Sequence, residues 1–269
     1  ASTGSRGKSG VIINLAGAMA EQGSGVLILD EAPAGQSVCT ALGLDARFDL
    51  EDVIRRRRDL HEVILHGPAG ILVLPLARGA RSLPQLPLPD QQWLVEQCSR
   101  LGLSVDTLLL DTAPGGSSAL LWPRAAAHEV VVIEDASAAA ITAAYALIKR
   151  LCNEFARRDF HILVSEVSSE SKARTLFDNM AQVARSHLQV SLDFMGHISP
   201  DEKLRHAARL KLPVIAAFPG TPASGSYRWL ARSVTSWPRA VEDSSGFDDF
   251  MRHLIHSSRG RSTAAQISP

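Results

Sequence analysis

The feature that most constrains the fold is a regular alternation of two kinds of apolar pattern. Short runs almost continuous in Val, Ile and Leu recur along the chain: "GVLILDE", "GILVLPL", "VDTLLLDTAPGG", "HEVVVIED", "FHILVSEV", "VSLDFMGHI" and, late, "PVIAAFP". Continuous rather than alternating apolarity is what a strand covered on both faces requires. Between these runs lie segments with helical spacing: Ser9 to Gln22, Pro89 to Leu101, Ala138 to Leu151, Glu170 to Leu188, Asp201 to Leu210 and Ser224 to Val234. Ser137 stands where an N-cap belongs, and Ser199-Pro200 puts proline at a first helical position. Strand and helix in succession build βαβ units. The pattern therefore predicts an α/β fold, a doubly wound and mostly parallel sheet with helices on both faces.

At 269 residues the chain is long enough to bury a substantial core. Its composition shifts after Val241 to "EDSSGFDDFMRHLIHSSRGRSTAAQISP", which sets a main domain over 1–240 against a polar tail over 241–269. The proline-rich "SLPQLPLPD" is too short for a domain linker and reads as a surface loop entering a helix. Formal charges balance to +0, so the whole-molecule field gives no sign of a nucleic-acid partner, and none is expected. The one dense basic run, Arg55 to Arg58, reads most plainly as a solvated helix face. Cys39, Cys98 and Cys152 are widely spaced with no CxxC pair. That fits a reducing compartment and argues against a zinc or iron–sulfur site. There is no stretch of about eighteen apolar residues and no charged-then-apolar leader, so a cytoplasmic setting is expected.

Chemistry concentrates in the opening "ASTGSRGKSGVIINLAGAMAEQG". A Gly-Lys-Ser leading into an apolar helix is how a phosphate-binding loop reads, although the strict "GxxxxGK[ST]" string fails because Ser2 occupies the first glycine position. In such a loop, backbone N–H groups and a helix N-terminus surround phosphate, lysine neutralises charge and the hydroxyl holds Mg²⁺. Gly7, Lys8 and Ser9 match these roles, and Gly4 supplies a second flexible point. A phosphate loop follows a strand, so the first strand of the sheet is expected before residue 1. Asp111 closes "DTLLLD" and precedes "TAPGG", a glycine-rich turn at a strand's carboxyl end, where ligands sit in open α/β sheets. It is a candidate to support Mg²⁺; the plainer alternative is a helix cap. Asp30 ends the neighbouring strand, placed to face the same crevice, and Glu31 follows it.

From Ala1 to about Arg239 the chain resembles the MinD/ParA group of deviant-Walker P-loop ATPases, and within it the flagellar FlhG (FleN) branch. The carrying segments are "ASTGSRGKSGVIINLAGAMAEQG", "VLILDEAPAGQSVCTALGL", "LLLDTAPGGSS", "EVVVIEDASAAAITAAYALIKRL" and "LQVSLDFMGHISPDEKLRHAARLKLPVIAAFPGTPAS". The resemblance implies ATP or ADP with Mg²⁺ as ligands. It implies a nucleotide-binding set of Gly4, Ser5, Arg6, Gly7, Lys8, Ser9, Gly10 and Ser165, a metal set of Ser9, Asp30 and Asp111, and Lys8 and Asp30 as the catalytic candidates. It also implies an ATP-driven homodimer, peripheral contact with the inner face of the cell membrane, and a role in flagellar number and placement. The partners implied are a flagellar signal-recognition-type GTPase or a transcriptional regulator.

The departures from the family pattern are equally informative. In the family loop "KGGxGK[ST]" the first lysine reaches across the dimer to the partner's phosphate, and that place is Thr3 here. Ser2 and Ser5 replace glycines, and Arg6 takes a normally small or apolar position. The family's "DxD" becomes Asp30-Glu31-Ala32, so the acid that orients the attacking water is missing, and Ser165 replaces the adenine-reading asparagine. Losing a water-positioning group typically costs about 10² to 10⁴ in rate, and losing a phosphate-reaching cation removes roughly 1.5–3 kcal/mol. The expected protein is a nucleotide-binding regulator with weak or absent hydrolysis. The alternatives are a non-hydrolysing interaction scaffold and another P-loop positioning ATPase.

In the tail, Phe247, Phe250, Met251, Leu254 and Ile255 fall on one helical stripe. The stripe fits either membrane or partner contact, or docking on the body; Asp248 and Asp249 weaken attraction to anionic lipid. The nine histidines show no metal-ligand spacing, and Trp229 and Trp237 read as packing residues.

Overall fold

The computed structural model describes residues 5–101, 105–113 and 129–237, together with 247, 251 and 252. Helix α1 (Ser5–Glu21) leads into β1 (Val26–Asp30). Three short helices follow, α2 (Val38–Leu42), α3 (Leu50–Ile54) and α4 (Leu60–Val63), then β2 (Leu65–His66) and β3 (Leu72–Pro75). The first half closes with α5 (Gly79–Ser82), α6 (Leu88–Arg100) and β4 (Thr107–Asp111). The second half is β5 (Val131–Asp135), α7 (Ala138–Phe155), β6 (Asp159–Ser165), α8 (Glu170–Leu188) and β7 (Ser191–Ile198), then α9 (Glu202–Arg209), α10 (Val214–Ala217) and α11 (Pro222–Thr235).

The strands form two sheets, in the orders β2-β3-β1-β4 and β5-β6-β7. Every pairing is parallel except β2 with β3. One face of both sheets packs under α1, α10 and α11 in a shared core that takes Ile28 and Val73 from the first sheet and Ile133, Leu163 and Met195 from the second. On the opposite face, Leu27, Leu29 and Leu74 pack with α3 to α6, while Val132, Ile162 and Val164 pack with α7 and α8. Helices therefore cover both faces, as the near-continuous apolar runs predict. The two sheets meet near β4 and β5, where Leu110 packs against both clusters of that second face. No ladder joins β4 to β5 among the described residues. Accordingly β1 is buried throughout, whereas Leu108 to Leu110 of β4 are only half-buried.

The last expected strand is a helix. "PVIAAFP" forms α10 because Val214 N–H donates to the Asn14 side chain of α1 at 2.6 Å, while the N–H groups of Ala216 and Ala217 turn back to the Pro213 carbonyl. Pro213 itself sets the entry angle at φ −58°. Helix α1 approaches this turn closely through Gly17, where a Cβ would lie 2.7 Å from Pro213 Cβ. The short helices α2 to α4 escape a periodicity reading because each is about one turn; their traces are the caps Ser37, Asp49 and Asp59.

The arginine run is not a helix face. Arg55 caps the end of α3, and Arg56 adopts a left-handed φ of 57°. Each arginine meets a carboxylate: Arg55 with Glu51 at 2.6 Å, Arg56 with Asp90 at 3.2 Å, Arg57 with Asp52 at 3.4 Å and Arg58 with Glu62 at 3.3 Å. Arg56 also lies over the Trp93 ring and Arg58 over Phe48. Both C-terminal tryptophans pack: Trp237 stacks on His161 at 4.0 Å, and the half-exposed Trp229 lies against Gly196 of β7. Beyond residue 240, Phe247 and Met251 are buried in the cluster under α3 to α6. Phe250, Leu254 and Ile255 lie outside the described residues.

Candidate nucleotide site

Helix α1 begins at Ser5, so Ser5 and Arg6 contribute its first backbone turn, and Gly4, Ser2 and Thr3 lie outside the described residues. That start carries Lys8 and Ser9 to the carboxyl ends of β1 and β4, where parallel register sets Asp30 beside Asp111. Ser9 Oγ donates to Asp111 Oδ2 at 2.6 Å and lies 3.2 Å from the Gln36 carbonyl oxygen. The Lys8 ammonium sits 2.9 Å from Asp111 Oδ1, an ion pair that is off the hydrogen-bonding line. It also donates to the Thr112 carbonyl and reaches Thr112 Oγ1 at 3.3 Å. Both Lys8 and Asp111 are buried, at 6% and 0% exposure. Two buried opposite charges in contact stabilise each other, and losing either would strand the other. Gly7 and Gly10 flank Lys8-Ser9 in sequence, and a Cβ at either would meet nothing within 4 Å among the described residues.

Asp30 is held by backbone donors: Cys39 N–H reaches Oδ2 at 2.9 Å and Ala32 N–H reaches Oδ1 at 3.3 Å. Burial pushes the Asp30 carboxyl above its usual range; these donors oppose the rise and the Asp111 charge adds to it. Burial also drives the adjacent Cys39 thiol upward. Asp30 thus organises the turn between β1 and α2 while facing Asp111. Ala32, buried at the place of the family's second acid, brings only a methyl group. Ser165, at the end of β6, donates to the Glu134 carbonyl at 3.0 Å and so engages β5.

Two participants, Glu31 and Thr112, were not legible from motif spacing, nor was the burial of Glu134 on β5. Glu31, 8% exposed, accepts Ala113 N–H at 3.1 Å, and its own N–H donates to the Asp111 carbonyl at 3.0 Å. Thr112 receives Lys8. Glu134 of β5 is 3% exposed, and neither carboxyl oxygen has a hydrogen-bond partner among the described residues. Burial, with a smaller contribution from Asp135, pushes Glu134 up to about 7. An acid following a strand-end acid was the one available signal for Glu31.

The donor chemistry fits a magnesium-bound polyphosphate. Ser9 Oγ, Asp111 and Asp30 are hard oxygen donors suited to Mg²⁺, which is usually held by one or two carboxylates plus substrate phosphates. No cluster of three His, Cys, Asp or Glu side chains able to hold a metal alone occurs among the described residues. Lys8 supplies the cation at a helix N-terminus.

No protein-family model matches the chain. It is 34% identical over 253 residues to the antiactivator FleN of Pseudomonas aeruginosa, covering 94% of this chain and 90% of that protein. The flagellum site-determining protein YlxH of Helicobacter pylori is 22% identical, over 77% of this chain and 70% of its own. The cell division protein MinD of Aquifex aeolicus superposes with a TM-score of 0.62 at 20% identity, covering 90% and 97% of the two chains, a likeness of fold. The Gly-Lys-Ser start of α1, its contacts with the end of β4, the MinD-like fold and the near full-length likeness to FleN converge: the chain belongs to the FleN/FlhG family of MinD-like P-loop ATPases.

Proposed function

We propose that the chain is a nucleotide-binding regulator of flagellar number or placement that acts through protein contacts, with weak or absent ATP hydrolysis. The carrying observation is the convergence of Lys8 and Ser9 on Asp111, the half of a phosphate loop that grips phosphate and metal. When bound, Mg²⁺ would neutralise phosphate charge and orient the polyphosphate; Ser9, Asp111 and Asp30 are the residues to hold it, and Lys8 the residue to meet the phosphates. One feature favours slow turnover: Ala32 offers no carboxylate to orient water. The names of the relatives, an antiactivator and a flagellum site-determining protein, support the flagellar role. In this reading the partners are a second copy of the chain and a flagellar GTPase or a transcriptional regulator; burial of Phe247 and Met251 in the core favours docking of the tail stripe on the body over membrane contact.

Calorimetric titration with Mg-ATP tests the reading. Binding should weaken at least about tenfold in Lys8→Ala, the loss expected when one charge-assisted contact goes. Turnover should stay near background. Ordinary magnesium-dependent hydrolysis would sink the slow-turnover claim, and binding indifferent to Lys8 would sink the site.

A further inference from the structure

We propose that Glu31 is a positioning residue that holds Lys8 away from an incoming phosphate, acting through the Thr112–Ala113 peptide group. The inference rests on the reading of this site as a polyphosphate site and adds a control within it. That single peptide is gripped at both ends. Its carbonyl oxygen, on Thr112, accepts from the Lys8 ammonium. Its N–H, on Ala113, donates to Glu31 Oε2 at 3.1 Å. Cation, peptide dipole and carboxylate therefore stand in line, with the positive charge at the oxygen end and the negative charge at the N–H end. This is the favourable orientation, and burial of both charged groups strengthens it.

The arrangement occupies the lysine. Thr112 O and Thr112 Oγ1 accept two of the three N–H donors an ammonium has, Asp111 Oδ1 holds its charge at 2.9 Å, and only 6% of the residue is exposed. A phosphate that draws this ammonium fully toward itself must loosen the contact with the Thr112 carbonyl. The Thr112 carbonyl can turn away only if its peptide rotates, and rotation breaks the Ala113 bond to Glu31. The strand anchors Glu31 against following, because its own N–H is bonded to the Asp111 carbonyl at 3.0 Å. Glu31 thus sets how readily Lys8 is released, without itself touching the phosphate.

Acylation of Lys8 by a water-soluble amine reagent, followed by peptide mass spectrometry, reads this release directly. Exposed Lys149, Lys172 and Lys203 serve as internal references. In Glu31→Ala, Lys8 should label about tenfold faster relative to those references, as expected for loss of a bond to a charged acceptor. In Glu31→Gln, whose neutral amide oxygen can still accept from Ala113 N–H, labelling should rise clearly less than in the Ala variant. Unchanged labelling in the Ala variant overturns the proposal. Equal acceleration in both variants also overturns it, because charge alone would then be responsible.

Should the Ala variant unfold, exchange of the Ala113 amide in the unaltered chain decides: exchange as fast as in a free peptide overturns the proposal. Mg-ATP titration of the three proteins separates this idea from the nucleotide reading. If none binds while Lys8 labelling responds more to Ala than to Gln, the nucleotide reading fails and the positioning role stands. If all bind while labelling never changes, the positioning role fails alone.

Discussion

Glu134 shows how one side chain can tie stability to pH. Its carboxyl is buried on β5 without a hydrogen-bond partner among the described residues and is pushed up to about 7 from an ordinary value of 4.5. Between those values the folded chain keeps a proton that the unfolded chain has lost. The contribution to stability is therefore full below about pH 4.5 and disappears as pH rises through about 7. Chemical denaturation across that window should show a slope worth about 1–3 kcal/mol, and Glu134→Gln should flatten it. An equal slope in the variant would assign the effect to other groups. In the candidate site, the meeting of Lys8 and Ser9 with Asp111 was legible, because a Gly-Lys-Ser before a helix and an acid at a strand's carboxyl end point to one crevice. The contact of Glu31 and the burial of Glu134 were not, since nothing in spacing tells which acid is buried or what it meets.

At the scale of elements, the six longer helices and the strands β1 and β3 to β7 follow the apolar periodicity to within a few residues. Both signals are local: a helix buries one stripe and a parallel strand buries both faces. The misread element is α10, whose composition is as strand-like as that of β5 but whose first N–H is taken by Asn14, far away in sequence. The same contact region makes a prediction. Gly17→Ala should gain up to about 1 kcal/mol in helix propensity. It would also press a Cβ to 2.7 Å from Pro213 Cβ, whose ring cannot swing aside. The overpacking costs about 1–3 kcal/mol, so the melting temperature should fall; a rise would mean that α1 and α10 separate easily.

Across the whole molecule, α1 and α11 lie over one core that draws residues from both sheets, and the ion pair between Glu21 and Arg228 at 2.7 Å ties these two helices together. The tail joins from the other side, with Phe247 and Met251 at 5% and 1% exposure among the residues under α3 to α6. Replacing both by alanine should lower unfolding free energy by several kcal/mol, since each buried large-to-small change costs about 2–5. Unchanged stability, measured by denaturant titration, would leave the stripe free for lipid or partner.

By itself the sequence determined the fold class and the order of the long elements and marked Gly-Lys-Ser as the candidate phosphate-binding stretch, because periodicity and motif spacing are properties of neighbouring residues. The tertiary structure alone decided that the arginine run is neutralised by carboxylates on three segments, that tail residues enter the core, and that Lys8 is engaged through a peptide held by Glu31. Each of those outcomes depends on which distant groups meet after folding, and burial then fixes how strongly their charges act on one another.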